Sequence, residues 1–293
     1  MSDLRQFLLA DGATVDYFID GGAPAGAGLL VYHHGTPAAG PLDDELLVPA
    51  RAAGLQVVEL VRPGYGSSTR QPGRRIADVV PLVAALADHL GHGRFVSMGW
   101  SGGGPHVLAT AALLPERCAG VLCLAGVAPY DADGLDYLAG MGEDNIDEFG
   151  AALAGPAELE AYLTAACADL VEISGPQVND ALASLLPDVD RAHLTGDAAE
   201  HFAAELRFSV AQGIWGWFDD DVAFIRPWGF DVGGITVPVQ MWQGSDDLMV
   251  PFAHGQWLAE RLPTAEVWLA PGEGHLSMIT HIGEGFARLR DLL

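Results

Sequence analysis

A lone serine stands among four glycines in "VSMGWSGGGPHVLATAALL", residues 96–114. Gly99-Trp100-Ser101-Gly102-Gly103 fits G-x-S-x-G, the spacing of a nucleophile carried on a sharp strand-to-helix turn. A serine hydroxyl is a weak nucleophile until a base takes its proton. Of ten histidines, His275 in "PGEGHLS" is the candidate base, because it follows a predicted strand in a glycine-bearing loop. His33 and His34 close an earlier strand; His89, His92, His106, His193, His201, His254 and His281 fall on or beside predicted helices. The base needs an acid to fix its tautomer and to stabilise its charged form. "WQGSDDLMVP" offers Asp246 and Asp247, whose side chains diverge, so that one of them can face the histidine. An oxyanion needs backbone N–H donors. Gly102, next after the serine, supplies one, and Thr36 in the tight turn "HHGTP" is the candidate for the other. This set points to acyl transfer.

Such residues must be held by elements, and the sequence predicts them. "RQFLLADG" and "TVDYFIDGG" read as two strands about a turn at Asp11-Gly12. "GLLVYHHG", "LQVVELV", "RFVSMGW" and "AGVLCLAGVAP" are apolar runs of strand length. Helical spacing appears between them in "LDDELLVPARAAG", in "RRIADVVPLVAALADHLG" despite Pro81, and in "GGPHVLATAALLPERC". This alternation predicts a mostly parallel sheet with helices on both faces. From Tyr130 to about Asp231 the strand pattern stops, and "GLDYLAGMGEDNIDEFGAALAG", "PAELEAYLTAACADLVEIS", "VNDALASLL" and "GDAAEHFAAELRFSVAQG" read as helices. Strand and helix then alternate again in "VPVQMWQGS", "PFAHGQWLAERL", "AEVWLAPG" and a final helix from about Leu276. The expected organisation is a core of residues 1–129 and 232–293 with a helical lid at 130–231.

Composition excludes several classes. The net charge of −25 repels nucleic acid. All 14 basic residues are arginine, so no lysine can form a Schiff base with pyridoxal phosphate. Cys118, Cys123 and Cys167 are odd in number and lack a CxxC pair, which predicts neither a disulfide framework nor a zinc site. Two neighbouring histidines without a third ligand at metal spacing predict no metal at His33-His34. The N-terminus lacks a signal peptide's apolar stretch, and no apolar run reaches membrane-span length. The expectation is a cytoplasmic protein acting on a small molecule, with no membrane partner and no cofactor. The acidity is uneven: residues 131–221 carry 20 Asp and Glu against two Arg. A solvated acidic lid surface is the simplest expectation.

Together these motifs resemble the α/β-hydrolase superfamily. "HHGTP" looks like its HG-x-P oxyanion loop, "VRPGYGSS" like the loop after the next strand, and "GWSGGG" like the elbow. "GSDDLMVP" is similar to its acid loop and "GEGH" to its histidine loop, all in family order. The resemblance implies a mostly parallel eight-stranded sheet with a lid inserted after strand six. Its G-x-x-D-x-x-x-P spacing, counted from Gly244 to Pro251, picks Asp247 over Asp246. It implies Ser101, Asp247 and His275 as the triad. Serine at the elbow argues against dehalogenase or epoxide-hydrolase chemistry, for which the resemblance would require Asp.

The expected function is a serine hydrolase that cleaves a carboxylic ester of a small, uncharged or cationic substrate. The alternatives are an aminopeptidase of the proline-iminopeptidase type, a cofactor-free perhydrolase or haloperoxidase-like activity, and a non-catalytic ligand-binding member of the fold. Trp100, His34, Trp215 and Trp217 are the candidate pocket residues. Glu143, Asp144, Asp147 and Glu148 in "GEDNIDEF" are the lid acids first in line to bind a substrate ammonium.

Overall fold

The computed structural model describes residues 2–293. Strands β1 (Ser2–Leu8) and β2 (Thr14–Asp20) pair in antiparallel register, Leu8 opposite Thr14. Then follow β3 (Gly28–His33), α1 (Asp44–Ala52), β4 (Leu55–Leu60), α2 (Val80–His89), β5 (Phe95–Trp100), α3 (Gly103–Leu113) and β6 (Cys118–Leu124). Six helices come next without a strand: α4 (Glu143–Ala154), α5 (Pro156–Leu170), α6 (Gly175–Ala181), α7 (Asp188–His193), α8 (Gly196–Val210) and α9 (Trp215–Phe224). The chain closes with β7 (Val239–Gly244), α10 (Phe252–Arg261), β8 (Ala265–Ala270) and α11 (Ile282–Arg290). Eight strands form one sheet in the order β1-β2-β4-β3-β5-β6-β7-β8. β2 is antiparallel to β4, and every pair from β4 to β8 is parallel. The expected sheet and the helical insertion after β6 are therefore present.

Alternation along the strands builds two cores. Leu29 and Val31 of β3 enter one buried cluster, with Val83 and Leu86 of α2 and Val107 and Leu108 of α3. Leu30 and Tyr32 enter the other, with Leu47 of α1, Phe286 and Leu289 of α11, and Leu163 and Leu206 from the insertion. The insertion thus packs on the sheet through apolar side chains rather than standing apart in solvent.

Three local readings are corrected. The helix expected from Gly134 begins only at Glu143; Gly134 and Gly140 take φ +81 and +91, conformations outside the right-handed helix. The helix expected from Arg74 is a 3-10 turn, Ile76–Val79, followed by α2. Pro81 then sits in the first turn of α2, where its missing N–H has no intrahelical partner to lose. Helices α7 and α9 have no counterpart among the helices read from the sequence. Among the described residues, no helix is long and apolar enough to cross a membrane.

Candidate active site

The carboxyl ends of β3, β5, β7 and β8 lie along one edge of the sheet, and each runs into a loop bearing a candidate residue. β5 ends at Trp100, and Ser101 turns the chain at φ 55, a left-handed conformation rare for a residue with a side chain. Its N–H donates to the Leu124 carbonyl at 2.9 Å and Gly104 N–H to its own carbonyl at 2.8 Å, so the turn is fixed from both sides. The flanking glycines are steric requirements. A Cβ at Gly99 would lie 2.2 Å from the Gly103 carbonyl oxygen, and one at Gly103 would lie 2.0 Å from that of His33.

His275 and Asp247 meet as expected. His275 Nδ1 donates to Asp247 Oδ2 at 2.8 Å, and both side chains are buried. Gln243 Nε2 donates to the same Oδ2 at 2.9 Å, while Oδ1 accepts the N–H groups of Met249 and Val250 at 2.9 and 2.8 Å. Asp246 is exposed and bonded by the Ser245 hydroxyl. Burial pulls the His275 pKa down, but the charge and hydrogen bond of Asp247, with the charge of Asp190, hold it above the ordinary imidazole value. No described residue bonds the Ser101 hydroxyl to His275; both line one cavity of about 560 Å³ between the sheet edge and the insertion. Thr36 and Gly102 line it too, and neither of their backbone N–H groups has a partner among the described residues.

Two buried carboxylates from the insertion grip these loops, and the sequence reading missed both. Asp190 of α7 is fully buried. Its Oδ2 accepts His275 N–H at 2.7 Å, and its Oδ1 accepts those of Leu276 and Ser277, each at 2.9 Å. Gly274 must lack a side chain here, since its Cβ would lie 2.4 Å from Asp190. Asp220 of α9 accepts from the Thr36 hydroxyl at 2.8 Å and pairs with Arg62 at 2.6 Å and Arg74 at 2.5 Å. Arg62 in turn donates to the His34 and Gly35 carbonyls at 2.6 and 2.8 Å, fixing the turn that carries Thr36. Most acids of the insertion are solvated, Asp131, Asp133, Glu158, Glu160 and Asp169 among them, but Asp190, Asp219, Asp220 and Asp221 are buried.

The pocket candidates divide. Trp100 and Trp217 line the cavity. Trp215 does not: it is 36% exposed and lies under the Arg70 guanidinium, 3.9 Å from its ring centre. His34 does not either. It is fully buried, its Nε2 accepts the Arg62 N–H at 3.3 Å and its Nδ1 donates to the Gly35 carbonyl at 2.7 Å. Burial, aided by Arg62, pushes its pKa well down, so it is a neutral structural ring. Of the four lid acids, Glu148 lines the cavity and Asp144 lies at its edge, whereas Glu143 and Asp147 are exposed and outside it. Among the described residues no three His, Cys, Asp or Glu side chains converge as metal ligands would.

Comparison with known proteins agrees with this fold. The model of the alpha/beta hydrolase fold matches residues 28–282. Epoxide hydrolase B of Mycobacterium tuberculosis (strain ATCC 25618 / H37Rv) is 29% identical over 161 residues, 53% of this chain and 45% of that protein. The chain thus aligns with less than half the length of that relative. Among solved structures, an alpha/beta hydrolase fold protein from Nakamurella multipartita has a TM-score of 0.65 at 24% identity, covering 99% of both chains. An esterase from Rhodococcus sp. ECU1013 has 0.67 at 19% identity, covering 98% of this chain and 97% of that one. A bromoperoxidase from Bacillus anthracis has 0.67 at 19% identity, covering 100% and 99%. These likenesses are of fold.

Proposed function

Because the chain belongs to the alpha/beta hydrolase fold family, we propose that it is a serine hydrolase that cleaves a small carboxylic ester through an acyl-enzyme on Ser101. The observation that carries this reading is the His275 Nδ1–Asp247 Oδ2 bond of 2.8 Å, set in the same cavity as a serine held at φ 55. His275 takes the Ser101 proton as the hydroxyl oxygen attacks the ester carbonyl, and Asp247 stabilises the imidazolium. The free N–H groups of Thr36 and Gly102 receive the oxyanion, and Gly102 adds the positive end of α3. The imidazolium returns its proton to the leaving alkoxide. Water, deprotonated by His275, then releases the acid and restores Ser101. A serine at the elbow supports acyl transfer over the epoxide opening named for the Mycobacterium relative, which by the resemblance calls for aspartate there.

The test is a fluorophosphonate reagent followed by peptide mass analysis, with a series of nitrophenyl esters of rising acyl length. The expected result is one adduct, on Ser101, that abolishes ester turnover as it forms. Turnover that persists in fully labelled protein, or no labelling and no turnover, would overturn the reading.

His275 also sets a pH signature. The base must be neutral, so kcat/KM should fall as pH drops through its pKa, which lies above the ordinary value of about 6.5. Asp190→Asn removes a negative charge that favours the imidazolium, so the acid limb should move to lower pH. The same change puts an amide NH₂ where a carboxylate oxygen accepted His275 N–H, which lowers kcat on the plateau as well. A pH–rate profile checks both; an unmoved acid limb beside a lowered Tm would leave Asp190 as an anchor of the loop alone.

A further inference from the structure

The cavity holds one group that the ester mechanism does not use. Asp221 of α9 and Glu148 of α4 line it together. Asp221 is fully buried, and neither of its carboxylate oxygens has a donor among the described residues. Glu148 Oε1 accepts the Trp217 indole N–H at 2.8 Å, which leaves Oε2 without a described partner. Neither nearby guanidinium bonds this pair: Arg62 and Arg74 both bond Asp220, the preceding residue of α9, and Arg74 acts on Asp221 through its charge alone. The remaining charged or titratable neighbours are Asp144 on α4, Asp220 on α9, Tyr137 before α4 and Tyr162 on α5, none of them cationic. A buried carboxylate pair without a bonded counter-charge is costly, and proteins retain such pairs where they are matched by a proton, a metal or a ligand. Apolar side chains, Phe149, Phe224 and Val127, make up the neighbouring wall.

Resting on the reading of this cavity as the substrate pocket, we propose that Glu148 and Asp221 form a subsite for a primary ammonium group carried by the substrate on a short apolar chain. Three carboxyl oxygens, Glu148 Oε2 and both of Asp221, are free to meet the three N–H donors of an ammonium. In the absence of the cation a proton takes its place. Burial pushes Glu148 up to about 7 and, with the charge of Glu148, raises Asp221 well above the usual carboxylate range. Ammonium binding must therefore displace a proton, and it should strengthen as pH rises.

The test is calorimetric titration of the full chain with hexylammonium chloride and, separately, with 1-hexanol. At about pH 8 hexylammonium should bind at least about tenfold more tightly than the alcohol, the lower range for hydrogen bonds to charged groups. That preference should shrink at about pH 6 and vanish in the isosteric variants Glu148→Gln and Asp221→Asn. Equal affinity of wild type for the two probes would overturn the proposal. So would a preference that survives both substitutions, which reports general attraction to a chain of charge −25. The pH comparison needs wild type alone, so a variant that fails to fold leaves the test intact. No ester is cleaved in this experiment, so its outcome and that of the Ser101 labelling are read independently.

Discussion

Ser101→Ala should retain the fold and lose about 10⁶-fold in kcat on any ester the wild type cleaves, the loss expected when the nucleophile of a triad is removed. The fold should survive because alanine and serine pay the same penalty at φ 55, and the hydrogen bonds that fix this turn are made by backbone atoms. His275→Ala should cost as much as Ser101→Ala, and the double variant no more, since each alone disables the unit. Asp247→Asn should cost about 10⁴-fold. An amide at 247 can no longer accept the His275 Nδ1–H and two backbone N–H groups with both of its terminal atoms, so the imidazole loses its tautomer and its orientation. Initial rates beside thermal melts check all four variants. Activity of Ser101→Ala within tenfold of wild type, with an unchanged melt, would remove Ser101 from the chemistry.

The residues in this prediction were legible in the sequence for a physical reason. A strained turn with backbone on both sides admits only glycine at positions 99 and 103, so the requirement is written in adjacent residues. The acid and base loops follow strands whose apolar runs announce them, but the residues alone left Asp246 and Asp247 open; only the G-x-x-D-x-x-x-P pattern implied by the family resemblance separated them. Asp190 left no such mark. Its partners are 85 to 87 residues away, and a six-residue helix in an acidic stretch looks like surface. Trp215 was misplaced because an aromatic run says that burial is near without saying which ring obtains it; Arg70 took this one. One signal was present and passed over. Asp219, Asp220 and Asp221 are consecutive on a helix, about 100° apart, between Trp217-Phe218 and Phe224. They fan across more than half of the helix circumference, so at least one had to point inward. All three do, each to a different environment: Asp219 to Arg70, Asp220 to Arg62 and Arg74, and Asp221 to the cavity.

Asp220→Ala should be the most destabilising single substitution in the insertion, by about 3–5 kcal/mol. Arg62 and Arg74 are buried with it, and removing the one carboxylate that bonds them leaves two guanidinium groups out of water without a bonded counter-charge. At roughly 2–4 °C per kcal/mol for a chain of this size class, Tm should fall by roughly 10 °C. Arg74→Ala should cost less, because the Arg62–Asp220 pair and its bonds to the 34–36 turn remain. The pH dependence of the cluster follows from its sign. Burial raises the Asp220 pKa, but the charges of Arg62 and Arg74 outweigh burial and set it well below the usual carboxylate range. A depressed folded-state pKa contributes stability above the unfolded value of about 3.9 that is lost only as pH falls through the lower folded value. The gap between wild type and Asp220→Ala should therefore stay constant from about pH 8 to about pH 5 and close only in strong acid. Activity should suffer beyond the loss of folded protein, because Asp220 holds the Thr36 hydroxyl and, through Arg62, the two carbonyls that set the Thr36 N–H. Melts across pH, with kcat measured at a temperature where both proteins are folded, separate the two effects. A Tm within about 2 °C of wild type would show that water reaches Arg62 and Arg74 once Asp220 is gone, and that the insertion is held by its apolar face alone.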